Sequence, residues 1–383
     1  MISGEYPPMT GGVGDFTRIV AQQLVAQGQE VHVLTSQTAH GERFANGGIA
    51  IWPLVGRWSL GGLGRAWNRL RQQLVPDVAN IQYQAGAYAG RGAINLLPLL
   101  TRVPCVTTFH DLKAPKLFPK AGSWLRRRSI HLLAQQSAAT IVTNMADRLQ
   151  LDEVGRVRLY QIPIGSNIPA LTLDPDERAR LRTAWSATPQ TAVLCYFGML
   201  SESKGGEELI DALALLDGRG LDVRLVLIGN AFGSSPEDQA YASRVKALIA
   251  QHRLESRVSY TGKLAQDGVS AALHASDICV LPYRDGVSFR RGSLMAALGH
   301  GLPIVTTHPQ HGIPEIADGE NMLLSPACNA DQLADAVARL ATSQALQERL
   351  SAGALELAPT FAWERIAQQT LEVYRHVVDH DRR

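Results

Sequence analysis

The chain has 383 residues, 45% of them hydrophobic and 19% charged, with a formal net charge of +2. That length fits two domains, the apolar fraction excludes a disordered chain, and so small a positive excess is no footing for nucleic acid by itself. Four cysteines, at 105, 195, 279 and 328, lack metal-ligand spacing. The first three fall in apolar runs, as free core thiols would in a reducing cytoplasm. No signal peptide is expected at the start, and no apolar run reaches the roughly 18 residues of a membrane span.

In chain order, Met1, Ile2 and Ser3 precede a loop at Gly4. They supply barely half of a central strand, which predicts a few apolar residues upstream of Met1 in the natural protein. Gly11-Gly12-Val13-Gly14 then opens a helix over 13–27. Glycines let a backbone turn sharply and approach a ligand, and the first amides of the helix are expected to be open to an anion. A tight strand-to-helix turn is the alternative. Strands follow at 30–36, 77–82, 103–109, 139–144 and 158–164, with helices between several of them. This alternation predicts a parallel sheet covered on both faces.

Around 165–190 the pattern pauses, and Pro163, Pro169, Pro175 and Pro189 crowd together as in a linker. Asp174-Pro175-Asp176 mimics an acidic metal motif but is expected to be a loop there, and no other cluster calls for a metal. Strands resume at 192–197, 223–228, 257–260, 278–282 and 303–306. The expected architecture is α/β, two Rossmann-like domains facing across a cleft, with ligands at the carboxyl ends of the strands. The divisions are 1–168 for an amino-terminal domain, 169–190 for the linker, 191–360 for a second domain and 361–383 for a terminal helix.

Two motifs of the second half suit a phosphate. Phe197-Gly198-Met199-Leu200 ends a strand, and Ser203-Lys204-Gly205-Gly206 precedes a helix over 207–215, which places Lys204 near the strand ends. Leu281-Pro282-Tyr283 ends another strand, and Ser288-Phe289-Arg290-Arg291-Gly292 leads into a helix. Two arginines at a helix start oppose its dipole, a cost that makes sense if they face an anion. For each cation a solvated surface role is the alternative.

Taken as an ordered series, these pieces resemble family 4 of the retaining glycosyltransferases, which have the GT-B fold. Gly11–Gly14 looks like the family's glycine loop, Thr108-Phe109-His110-Asp111 like its strand ending in histidine, and Pro163-Ile164-Gly165-Ser166-Asn167 like its entry to the linker. Gly198 with Lys204-Gly205 resembles the donor-phosphate motif. Tyr260-Thr261-Gly262, Ser276-Asp277, Gly301-Leu302-Pro303 and Gly312-Ile313-Pro314-Glu315 follow in family order, and Phe361-Ala362-Trp363-Glu364 begins what looks like the terminal helix crossing back to the first domain.

The resemblance implies a metal-independent transfer, without a cofactor, from a nucleotide-diphosphate sugar to a glycan, lipid-linked or small-molecule acceptor. It implies retention of configuration and a cell-envelope glycan as product. His110 is implied as the catalytic-side residue. Gly12, Gly14, Gly198, Lys204, Gly262, Ser288, Phe289, Arg290, Arg291 and Gly292 are implied at the donor. Two departures stand out. Ser288 and Ala296 occupy the positions of the family's paired glutamates, and Met199 that of its arginine. Arg290 or Arg291 could restore the lost charge, or the charge is simply missing; Asp285 is the weaker candidate to stand in partly for the carboxylates. A non-catalytic sugar-nucleotide binder and an epimerase of the same fold are the rival readings. Residues 116–128 (KLFPKAGSWLRRR) interleave cations with aromatic and aliphatic side chains. They suit peripheral attachment to the inner face of an anionic membrane, with a solvated helix face as the alternative.

Overall fold

The computed structural model describes residues 1–9, 11–39, 48–113, 123–229 and 236–381. The chain divides into two compact units, Met1–Gly165 together with Ala362–Arg383, and Ser166–Phe361.

The first unit is built on seven strands: β1 (Ile2–Ser3), β2 (Val31–Ser36), β3 (Ile49–Val55), β4 (Ala79–Tyr83), β5 (Cys105–Phe109), β6 (Ala139–Val142) and β7 (Leu159–Gln161). They run parallel in the order β3-β2-β1-β4-β5-β6-β7. Central strands bury both faces, so β4 and β5 are buried at every residue, the polar Asn80, Gln82, Thr107 and Thr108 included. The two-residue β1 nonetheless pairs on both sides, Ile2 with Leu34 and with Ile81. The edge strand β3 was not evident in the sequence because Pro53 interrupts it, and proline is tolerated where one side of the ladder is free.

Two core layers sandwich this sheet. One gathers Leu34, Trp58, Trp67, Tyr83 and Phe109. The other gathers Phe16, Val20, Leu24 and Ile141 with Ile366, Leu371 and Tyr374 from the helix Trp363–Asp381. The expectation of a terminal helix that returns to the first domain is met. Helix Gly12–Ala26 is its neighbour, and the Phe16 and Trp363 rings meet edge to face at 5.4 Å.

The second unit has six parallel strands: β8 (Ala192–Phe197), β9 (Val223–Ile228), β10 (Val258–Gly262), β11 (Ile278–Leu281), β12 (Ile304–Thr307) and β13 (Leu323–Ser325). Their order is β10-β9-β8-β11-β12-β13. The residues expected to form a linker belong to this unit. Asp174 caps the helix Pro175–Ala184 by accepting from the Asp176 amide, and Pro175 takes the first helical position. So Asp174-Pro175-Asp176 is a helix start rather than a loop. Arg182 then anchors that helix to the sheet, donating to Asp277 at 2.8 Å and to the Thr191 carbonyl at 2.7 Å. Asp277 also accepts from Arg178 and from the Val193 amide.

Candidate functional site

Two neighbouring strands of the second unit, β8 and β11, end in loops that carry most of the residues singled out for the donor. Gly198 follows β8 with φ of 127°, a conformation that strains any side chain. A Cβ there would lie 3.3 Å from the Lys204 Nζ, so the ammonium passes directly over this glycine. Gly205 has φ of 69°, and a Cβ on it would run into the Pro282 carbonyl oxygen. Only glycine permits that close approach, which brings the loop after β8 against the loop after β11.

Arg284, unremarked in the sequence, straps the two loops together. Its amide donates to the Ser203 carbonyl at 3.0 Å, and its guanidinium donates to Glu208 at 2.7 Å and Glu207 at 2.6 Å. Both glutamates begin the helix Gly206–Gly218, where negative charge is favourable.

Lys204 is enclosed in this arrangement. Burial, and next the Arg291 charge, push its pKa down to about 8 from the ordinary 10.5, with Asp238 opposing. Among the described residues it makes no ion pair. An enclosed cation carries a desolvation cost, which the Asp238 charge offsets only in part among the described residues.

The arginine pair behaves differently from expectation. Arg290 donates to Asp285 at 2.9 Å, and Arg291 also binds the Asp285 carboxylate while lying 4.8 Å over the Tyr283 ring. The anion that these two cations face is thus supplied by the protein. The Asp285 carboxylate is thereby engaged by both arginines. Among the described residues Arg291 keeps one buried, unpartnered N–H at Nε, and the Ser288 hydroxyl is likewise buried without a partner. Gly292 starts the helix Gly292–Gly299, which has no side-chain cap, and open space lies where its side chain would be. Phe289 belongs to the core, its ring edge to face with Phe361 at 4.7 Å, so only its backbone is free to meet a ligand. Ala296 is fully buried. Gly262 ends the edge strand β10, two strands from β8, with no contact to the Lys204 loop among those described.

In the first unit the glycine loop is closed from within. Glu5 accepts from the Val13 amide at 3.1 Å and from the Gly14 amide at 3.2 Å. The helix start expected to offer open amides to an anion therefore already holds a carboxylate. Gly14 is glycine because the backbone of Glu5 and Tyr6 passes 3.2–3.3 Å from where its Cβ would be, whereas Gly12 faces open space. Glu5 went unnoticed because it stands 8 residues before its partner in a segment that reads as loop.

His110 follows β5 and meets the Phe16 ring edge to face at 4.6 Å. Its Nε2 lies 2.8 Å from the Gln82 Oε1. The Gln82 amide nitrogen donates to the Asn80 Oδ1, and the Asn80 nitrogen donates to the Thr108 hydroxyl at 3.1 Å. Each amide is oriented by the next, so Gln82 presents its oxygen and His110 must carry its proton on Nε2. Burial lowers the imidazole pKa to about 4. At neutral pH His110 is a neutral ring with Nδ1 as its acceptor.

Residues 116–122 of the basic stretch lie outside the described residues; within the helix Ser123–Gln136, Trp124 is exposed and stacks against Arg128 at 5.0 Å. Among the described residues no helix is long and apolar enough to cross a membrane, and no cluster of His, Cys, Asp or Glu is arranged to hold a metal ion.

Comparison with known proteins bears on both units. The sequence profile described as Glycosyltransferase Family 4 matches residues 10–167, and that described as Glycosyl transferases group 1 matches residues 191–343. The phosphatidyl-myo-inositol mannosyltransferase of Mycobacterium leprae is 25% identical over 377 residues, covering 96% of this chain and 93% of its own. The D-inositol 3-phosphate glycosyltransferase of Pseudarthrobacter chlorophenolicus is 24% identical, covering 96% and 91%. Among solved structures, HepE of Anabaena in complex with UDP-glucose superposes with a TM-score of 0.75 at 20% identity, covering 97% of this chain and 98% of that one.

Proposed function

The chain belongs to glycosyltransferase family 4, with the GT-B fold, and from that premise we propose that it transfers a sugar from a nucleoside diphosphate sugar held at the Lys204 loop. The observation that carries this reading is Lys204 itself, an enclosed ammonium beside Gly198 that lacks a counter-ion among the described residues. A diphosphate supplies the missing charge. Gly292 and the uncapped helix behind it leave space and backbone amides for the same group, and the Arg291 Nε and Ser288 hydroxyl are further unpartnered donors.

These groups act where charge develops. As the bond from the sugar to the diphosphate breaks, negative charge grows on the leaving phosphate, and fixed cations and amides stabilise it without having to reorganise. His110, neutral and fixed in its tautomer, offers Nδ1 to a hydroxyl, and Gln82 and Asn80 are its positioning residues. We assign the acceptor to the first unit, retention to the reaction by family relation, and no metal or organic cofactor. Attachment of residues 116–128 to anionic membrane is part of the same proposal, and equal flotation with neutral and anionic vesicles at low salt would remove it. The complex of HepE with UDP-glucose makes UDP the first nucleotide to try.

The experiment is a melting panel of UDP, GDP, ADP and their sugars, in which a ligand at 100 times its dissociation constant adds about 2.7 kcal/mol of stability. Lys204→Ala and Arg291→Ala should each weaken the best ligand. Unchanged affinity in both would overturn the placement.

A further inference from the structure

Two cavities of the first unit share a wall. One, of about 900 Å³, is lined by Gly4, Ser36, Gly56 and Gly86, at or just beyond the carboxyl ends of β1 to β4. That is where a parallel sheet binds its ligand. Arg57 and Arg91 also line it, and among the described residues neither has a carboxylate partner. Glu5 lines it too, but is turned onto the amides of the glycine loop. The other cavity, of about 1050 Å³, has a different character, with Leu60, Leu96, Leu125, Leu132 and Val154 in its walls. Leu60 is 53% and Leu125 44% exposed, a costly placement for large apolar side chains unless something covers them. Cations lie there as well, since Arg127 and Arg128 help to hold the His131 pKa down, after burial. Glu153 is the one carboxylate among its lining residues.

Trp58 and Arg91 line both cavities. Trp58 is fixed there, donating to the Ser36 hydroxyl at 2.9 Å and meeting the Tyr88 ring edge to face at 4.7 Å. In sequence along the surface this gives a polar pocket at the strand ends, a junction of guanidinium and indole, and an apolar trough. We infer that the two cavities form one site for an amphiphilic acceptor, with its hydroxylated head at the strand ends, a phosphate at Arg91 and a hydrocarbon chain along Leu60 and Leu125. This inference rests on the transferase reading and specifies the acceptor as a phosphate-linked lipid. Charge complementarity selects that occupant, because a neutral glycan would leave Arg57 and Arg91 unpaired and the leucines uncovered.

Titration calorimetry on the full chain, with dodecyl phosphate below its micelle concentration against butyl phosphate and dodecyl maltoside, tests it. Dodecyl phosphate should bind at least tenfold more tightly than butyl phosphate. Leu60→Glu and Leu125→Glu change exposed positions and should close that gap. Arg91→Gln should weaken both phosphates about tenfold and leave the maltoside unchanged. Affinity independent of chain length, or leucine variants that bind dodecyl phosphate as the parent does, would sink the site. Nucleotide-sugar binding in the same preparations separates the two readings. Its loss with dodecyl phosphate binding intact overturns the donor assignment alone, and the converse overturns this one alone.

Discussion

Each unit has a helix that opens on glycine, and the two starts end in opposite electrostatic states. At Gly12–Ala26 the first amides are closed by the Glu5 carboxylate, so the turn is complete in itself. At Gly292–Gly299 no side chain caps the helix, and Lys204 nearby is a cation without a partner among the described residues. The glycines do not distinguish these cases. What distinguishes them is whether a carboxylate elsewhere in the chain reaches the amides of the helix start.

Substitutions can break this contrast, and the largest effect is expected at Gly205. Gly205→Ala places a Cβ against the Pro282 carbonyl in a left-handed conformation, and should cost about 3 kcal/mol or more. Gly12→Ala, which faces open space, should cost less than about 1 kcal/mol in the same denaturant titration.

Lys204→Met should move two quantities in opposite directions. It relieves an enclosed charge whose pKa is lowered to about 8, so the ligand-free protein should gain about 2–3 kcal/mol. Nucleotide-sugar affinity should fall 10- to 100-fold, as for loss of a charge-assisted phosphate contact. The pH signature follows from the sign of the shift. Because the folded pKa of about 8 lies below the ordinary 10.5, the fold disfavours the ammonium. Its cost is full below pH 8 and disappears as pH rises from about 8 to 10.5, and the variant should lack that rise in stability. A variant less stable than the parent at pH 7 would refute the enclosed-charge account.

Glu5→Gln keeps the shape and removes the charge at the closed helix start, so stability should drop by about 1.5 kcal/mol. No drop would mean that the carboxylate is incidental. Among the charge changes the smallest effect is expected at Gln82. Gln82→Glu sets a carboxylate on the His110 Nε2 and should raise its pKa from about 4 by about one unit, a change of about 1.4 kcal/mol readable by NMR titration. In the parent, burial depresses this pKa, so the His110 contribution to stability is full above 6.5 and is lost as pH falls toward 4. An imidazole that titrates near 6.5 in the parent would dismiss the enclosed, neutral His110.

What was legible in the sequence was what is local. Strands buried on both faces show as apolar runs, so β8 and β9 appear with their observed bounds. Gly198 and Lys204 sit in one turn, so their proximity follows from spacing. Arg284 was invisible because its partners Glu208 and Glu207 lie 76 and 77 residues away. The contact of Arg290 and Arg291 with Asp285 was not legible for a related reason. Their helix position was clear, but nothing in the spacing showed that the Asp285 side chain would turn back onto both. β13 is three residues long, too short for an apolar run to mark it.

The return of the helix Trp363–Asp381 to the first unit has a consequence for synthesis on the ribosome. Ile366, Leu371 and Tyr374 complete one face of that unit's core, yet they emerge only after the whole of Ser166–Phe361. At typical elongation rates that is a wait of roughly 10–40 s. The second unit is continuous in sequence and can finish folding first, while Phe16, Val20 and Leu24 stay without their cover. During that interval the nascent first unit presents an apolar surface suited to a chaperone.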